Sequence, residues 1–176
     1  MGIQKLNSEL INKVIQQDRS AQFQLFELTK SMLYSICYRV LANEDEANDV
    51  LQDAYVEVFQ NIRKLEHPQA LISWMKTITI RKAIKESKKQ IHFAPIEDHS
   101  PATTENFDAW FDAEVLDQAI QSLPDGARTV FVLVAIEGYS HQESAKLLGI
   151  SESTSKSQLH YAKTLLKSRI TKLLQA

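Results

Sequence analysis

The sequence predicts an all-α protein: two small helical bundles joined by a flexible acidic linker, the second containing a helix-turn-helix. Three observations predict this. Apolar residues recur at helical spacing along most of the 176 residues, with short polar residues placed to cap the starts. Glycine and proline number only four each, which favours long uninterrupted helices over a turn-rich chain. Between the two periodic stretches, residues 93–106 carry Pro95 and Pro101 among Ser, Thr and acids with little periodicity, the composition of a tether.

A first helix is expected at residues 7–17 and a longer one at 20–41, where Phe23, Phe26, Leu33, Ile36 and Val40 keep near-helical spacing. Asn43, with Glu46 three residues on, has the form of a capping box. It opens a third helix whose apolar stripe is Val50, Leu51, Ala54, Tyr55, Val58 and Phe59, with acids mainly on the other face. His67-Pro68 interrupts the pattern, because proline disfavours helix at the residue before it. A fourth helix at about 69–89 carries Leu71, Trp74, Met75, Ile78 and Ile84 and gives way to basic residues. Past the tether, Phe107, Trp110 and Phe111 restart a helix that continues through Val115, Leu116, Ala119, Ile120 and Leu123. Pro124-Asp125-Gly126 is expected to end it. Val130, Phe131, Val134 and Ile136 carry the next helix, with Gly138 as its C-terminal glycine, and Ser140 with Glu143 forms a second capping box. The expected domains are therefore residues 1–92 and 107–176, with 93–106 between them.

The net charge of −2 argues against a nucleic-acid ligand until its distribution is considered. Glu44, Asp45, Glu46, Asp49, Asp53 and Glu57 form an acidic block, and Arg81, Lys82, Lys85, Lys88 and Lys89 a basic one broken only by Glu86. After Glu152 there is no acid, while Lys156, Lys163, Lys167, Arg169 and Lys172 follow. A near-neutral total hides two basic patches, and patches decide what a surface binds.

Several classes are disfavoured. Cys37 is the single cysteine, so neither a disulfide framework nor a Cys-based zinc site is expected; among Leu33, Ile36 and Val40 it reads as a small buried hydrophobe. The five histidines are scattered, no Ser or Cys has a nearby His and acid, and no glycine-rich loop can cradle phosphate. No catalytic residue, cofactor or metal is expected. No apolar run approaches the roughly 20 residues of a membrane span, and the N-terminus lacks a signal-peptide pattern, so the expected compartment is the cytoplasm.

Residues 138–163 read as two short helices hinged at Leu148-Gly149-Ile150. In a helix-turn-helix the first helix braces a second whose exposed face enters the DNA major groove. The tight turn wants Gly149, and close approach of the helices wants the small Ala145 four positions earlier. Leu148, Ile150 and Leu159 are expected to be buried, and Ser151 to cap the second helix. Lys156, Ser157, His160, Tyr161 and Lys163 then face outward, all able to reach phosphates or base edges. A surface helical hairpin without any ligand would show the same caps and glycine. Ser144 and Ser155 stand where the motif usually packs two aliphatic side chains, and a small polar contact with a softer hinge is expected between them.

Together these features resemble the extracytoplasmic-function (ECF) sigma factors of the sigma-70 family, over about residues 20–170. "NEDEANDVLQDAYVEVF" is similar to the family's region 2 helix, with Asp49, Gln52, Asp53 and Tyr55 in step and Asn48 replacing a common acid. "ISWMKTITIRKAIKESKK" resembles the promoter-melting helix that follows, with Trp74 at the expected Trp. "LDQAIQSLPDGARTVFVLVAIEGYSHQESAKLLGISESTSKSQLHYAK" resembles region 4, and here the match is dense. The departures are Arg81 where Asn is frequent, His160-Tyr161 and Lys163 in place of an Arg-rich ending, and the two serines.

The resemblance implies core RNA polymerase as partner, its β′ clamp helices meeting Asp49, Gln52 and Asp53; a solvated charged face is the plainer account of that surface. It implies promoter DNA as the second partner. Trp74, Arg81, Lys82, Lys85 and Lys89 would serve the -10 element, and the loop at 64–70 would receive a flipped base. Trp74 is as readily a core residue. Thr154, Lys156, Ser157, His160, Tyr161 and Lys163 would serve the -35 element, with Tyr161 open between stacking on sugar and packing on the first helix. An anti-sigma factor is a further partner that the resemblance allows. Two rivals stand beside this one: a two-domain helix-turn-helix regulator acting without core polymerase, and a helical protein-binding adaptor.

Overall fold

Short polar caps decide where the chain turns. The structure, a computed structural model, describes residues 8–89 and 113–174, and these form helices with no strand among them. The chain divides after Ser87 into two compact units. The expected tether, and Phe107, Trp110 and Phe111 beyond it, lie outside the described residues.

The first unit contains α1 (Ser8–Ile15), α2 (Arg19–Leu41), α3 (Glu44–Asn61) and α4 (Leu71–Ser87). Asp18 caps α2, accepting a hydrogen bond from the Ala21 backbone N–H at 2.8 Å. Ala42 ends that helix in the left-handed region at φ 54°, its N–H bonded to the Tyr38 carbonyl at 2.8 Å. Asn43 then caps α3, accepting from the Glu46 N–H at 3.1 Å. With only two residues between them, α2 and α3 fold back on each other. The helix at the fourth position starts at Leu71 rather than at 69, because Pro68–Ala70 forms a separate 3-10 turn.

The core of this unit is built by Leu25, Leu33, Ile36, Cys37 and Val40 of α2, Ala54 and Val58 of α3, and Met75, Ile80 and Ala83 of α4. Burying each of the Leu, Ile, Val and Met side chains among them contributes roughly 1.5–3 kcal/mol. One polar pair crosses it: the Thr29 and Tyr55 hydroxyls lie 2.6 Å apart, with Thr29 also donating to the Leu25 carbonyl at 2.7 Å. Phe26 meets the Tyr55 ring edge-on at 4.9 Å between centroids. Cys37 is fully buried, as expected of a small hydrophobe, and burial pushes its thiol up to about 12.

The second unit contains α5 (Ala113–Gln121), α6 (Asp125–Phe131), α7 (His141–Leu148) and α8 (Glu152–Leu174). Pro124-Asp125-Gly126 does not end α5, which stops at Gln121; it starts α6, with Pro124 at the cap. A buried guanidinium explains the difference. Arg128 donates to the Leu123 carbonyl at 2.9 Å and pairs with Asp125 at 2.7 Å, so the three residues are tied into the turn between helices. Arg169 of α8 donates to the Ser122 carbonyl and hydroxyl, satisfying the same joint from the other side. After Phe131 the helix loosens into a π turn at Val132–Ile136, and Gly138 follows at φ 79°, as a C-terminal glycine requires.

Candidate nucleic-acid interface

Three surfaces carry the residues singled out in the sequence. On α3, Asp49, Gln52 and Asp53 are all exposed, opposite the buried stripe of Ala47, Val50, Ala54 and Val58. The structure adds Val56, 55% exposed, one turn beyond Gln52 and Asp53 on the same face. Its spacing from those two residues was the available signal; an apolar residue inside a helix is usually assigned to the core. An apolar residue bordered by carboxylates and an amide has the composition of a protein-binding patch.

On α4, Trp74, Thr77, Arg81 and Lys85 recur every three or four residues and form one stripe. Arg81 and Lys85 are exposed, Lys88 and Lys89 continue the exposed charge just past the helix, and Trp74 is half-buried. Lys82 lies to one side of this stripe. Its Nζ is 3.0 Å from Glu57 Oε2 of α3, so this lysine bridges the basic and acidic helices. Of the basic residues expected on one face, Arg81 and Lys85 are brought together and Lys82 is drawn to its edge.

The hinge is built as a helix-turn-helix. Ser140 and Glu143 complete a reciprocal capping box: the Glu143 N–H donates to Ser140 Oγ at 3.2 Å, and the Ser140 N–H donates to Glu143 Oε2 at 2.8 Å. The Ser140 hydroxyl, then its backbone N–H, hold the Glu143 carboxyl below its ordinary value. Gly149 ends α7 at φ 74° with its N–H on the Ala145 carbonyl. Ser151 caps α8, accepting from the Thr154 N–H at 3.0 Å.

The inward face of α8 differs from expectation. Ser155, Gln158, Ala162, Leu166 and Ile170 are buried, while Leu159 and Ile150 are only half-buried. The buried positions run from Ser155 through Gln158 and Ala162, and Leu159 falls to their margin. Nor do the two serines bond to each other. Ser155 Oγ shares a 2.9 Å hydrogen bond with His141 Nδ1, and the buried Ser144 hydroxyl has no hydrogen-bond partner among the described residues.

Outward, Lys156, Ser157, His160 and Lys163 are exposed on α8, whereas Thr154 and Tyr161 are half-buried at its margin. Lys156 Nζ lies 2.8 Å from Glu152 Oε1, and that hydrogen bond, with the attached charge, holds the Glu152 carboxyl below its ordinary value. Ser157 Oγ donates to the Thr154 carbonyl at 3.0 Å. Lys156 and Ser157, and Thr154 through its hydroxyl 2.7 Å from Ser151 Oγ, thus have local partners that a ligand would displace or share.

Among the described residues there is no cluster of metal-binding side chains, and no helix is long and apolar enough to cross a membrane.

Comparison with known proteins places these surfaces in a family context. Residues 25–91 match the family model described as Sigma-70 region 2, and residues 113–166 that described as Sigma-70, region 4. The ECF RNA polymerase sigma factor SigW of Bacillus subtilis (strain 168) is 28% identical, covering 93% of this chain and 96% of that protein. The ECF RNA polymerase sigma factor SigM of Mycobacterium tuberculosis (strain ATCC 35801) is 27% identical over 97% of this chain and 86% of its own. Among solved structures, CnrH in complex with the cytosolic domain of CnrY shares the fold at a TM-score of 0.55 and 20% identity, covering 96% of this chain and 99% of that one. RpoE in complex with the anti-sigma factor NepR from Bartonella quintana does so at 0.51 and 21%, covering 84% and 95%.

Proposed function

The chain belongs to the ECF group of the sigma-70 family, and from that premise we propose that it binds core RNA polymerase and directs it to promoters to start transcription. The observation that carries the reading is the order of its surfaces. An acidic face with an exposed valine, a basic stripe beside a half-buried tryptophan, and a helix-turn-helix with a polar outer face follow one another along the chain.

Each surface suits one task. Asp49, Gln52 and Asp53, with Val56 one turn beyond, would dock on the β′ clamp helices, where partly desolvated charges give specificity. Arg81, Lys85 and Lys89 would hold promoter phosphates near the -10 element, with Trp74 supporting the strand junction and Lys82 joining them when its pair with Glu57 opens. The outer face of α8, Lys156, Ser157, His160 and Lys163, would read the -35 element, with Thr154 and Tyr161 flanking. The bundles would correspond to residues 1–92 and 107–176, with the acidic stretch 93–106 as the tether. The protein would work in the cytoplasm, where polymerase is, as a regulatory subunit without catalysis of its own. An anti-sigma partner of the kind named for the RpoE structure would compete for these surfaces.

The test is reconstitution with purified core polymerase and run-off transcription on genomic fragments. Discrete start sites that depend on this chain are expected. Specific duplex binding by the isolated chain with no effect on core polymerase would instead indicate a free-standing regulator. Neither activity would leave the adaptor reading.

A further inference from the structure

The seam between α7 and α8 is lined in part by short side chains: Ser144, Ala145 and Ser155 are all buried. Short side chains make few dispersion contacts, so a directional bond there has more influence on the helix angle. A directional side-chain bond crosses the seam: His141 Nδ1 lies 2.9 Å from Ser155 Oγ, joining the first residue of α7 to the first turn of α8. Ser155 is wholly buried, so water does not compete at its hydroxyl.

We propose that His141 is the positioning residue of the recognition helix: through Ser155 it sets the rotation and tilt of α8, and so the register at which Lys156, Ser157 and His160 meet base edges. The inference rests on the reading of α8 as the -35 reader. Lys156 and Ser157 directly follow Ser155, so any rotation about that bond moves both. His141 need not touch DNA for this. A loosened seam would let α8 sample several registers, and discrimination between bases would drop more than overall attraction to phosphate.

The test uses holoenzyme formed from core polymerase and the full chain, transcribing a set of promoters that differ at single -35 positions. His141→Ala should lower output from the preferred promoter by about tenfold, the scale of one lost part-buried hydrogen bond, and should flatten the ranking of the variants. His141→Asn places an amide atom near the Nδ1 position and should restore both output and ranking. His141→Gln reaches instead to the Nε2 position and should not. A residue that merely stabilised the fold would lower output on all promoters alike and leave their ranking unchanged. Lys156→Ala serves as the control for the underlying reading. If it shifts the ranking while His141→Ala keeps the wild-type ranking, the positioning role is overturned and the reading of α8 stands. If neither shifts the ranking, α8 does not read DNA and both conclusions fall.

Discussion

Lys82 Nζ sits 3.0 Å from Glu57 Oε2, so a lysine at the edge of the basic α4 stripe is held by the acidic helix α3. Both side chains are partly exposed, and such pairs contribute only about 0.2–1 kcal/mol to stability. The consequence for binding is larger than that for folding. Glu57→Gln should free Lys82 and raise affinity for single-stranded promoter DNA, with the salt slope of binding steeper by about 0.7 for one added phosphate contact. Salt titrations of DNA binding by holoenzyme check this. An unchanged slope would mean that Lys82 does not reach phosphate even when released.

The exposed face of α3 makes a second prediction. Asp49→Lys with Asp53→Lys should weaken binding to core polymerase without loss of helicity, because neither side chain is in the core. If the carboxylates are desolvated on docking, the loss should be about 2–5 kcal/mol. Val56→Asp should act in the same direction, since it places a charge at the apolar part of the patch. Core affinity measured by fluorescence titration is the readout, with circular dichroism as the check on folding.

Glu152 is the first residue of α8, and its carboxylate neutralises Lys156 at 2.8 Å. On a groove-facing helix this acid both occupies the lysine and repels phosphate. Glu152→Gln should therefore strengthen -35 binding and steepen its salt dependence by about one unit. Lys163→Ala should do the opposite on all promoters alike, as a phosphate contact carries no sequence information. Equal affinities for wild type and Glu152→Gln would show that the pair stays closed or lies away from DNA.

Alkaline pH should loosen the first unit. Burial pushes both Tyr55, from an ordinary 10.0, and Cys37, from 9.0, up to about 12. Each folded value exceeds the unfolded one, so the neutral groups favour the folded state fully below the unfolded values. That contribution is lost as pH rises through the window up to about 12. The Tm followed by circular dichroism should fall from about pH 9 upward, and Cys37→Ala should move the onset toward pH 10. A profile that is flat up to pH 12 would overturn this.

The legible parts of this molecule were those decided within a few residues. Asn43 and Ser140 cap the helices they precede, Gly138 and Gly149 take the left-handed conformation their turns need, and the apolar stripe of α3 faces inward. Each depends on contacts three or four positions apart, which the sequence displays directly. The outward set Lys156, Ser157, His160 and Lys163 was legible for the same reason, as was the exposed trio Asp49, Gln52 and Asp53. Tertiary packing decided the rest. Whether Pro124-Asp125-Gly126 stops one helix or starts another depended on where the Arg128 guanidinium could be satisfied. Whether Leu159 or Gln158 turned inward depended on how α8 packs against α5, α6 and α7, elements up to about forty residues away. Val56 stayed outside because α2 and α4 pack on the opposite side of its helix and leave its own side open. The pairs Thr29–Tyr55 and Lys82–Glu57 could not be read from spacing, because a hydrogen bond or ion pair between helices needs both partners placed by the whole bundle before either gains from it.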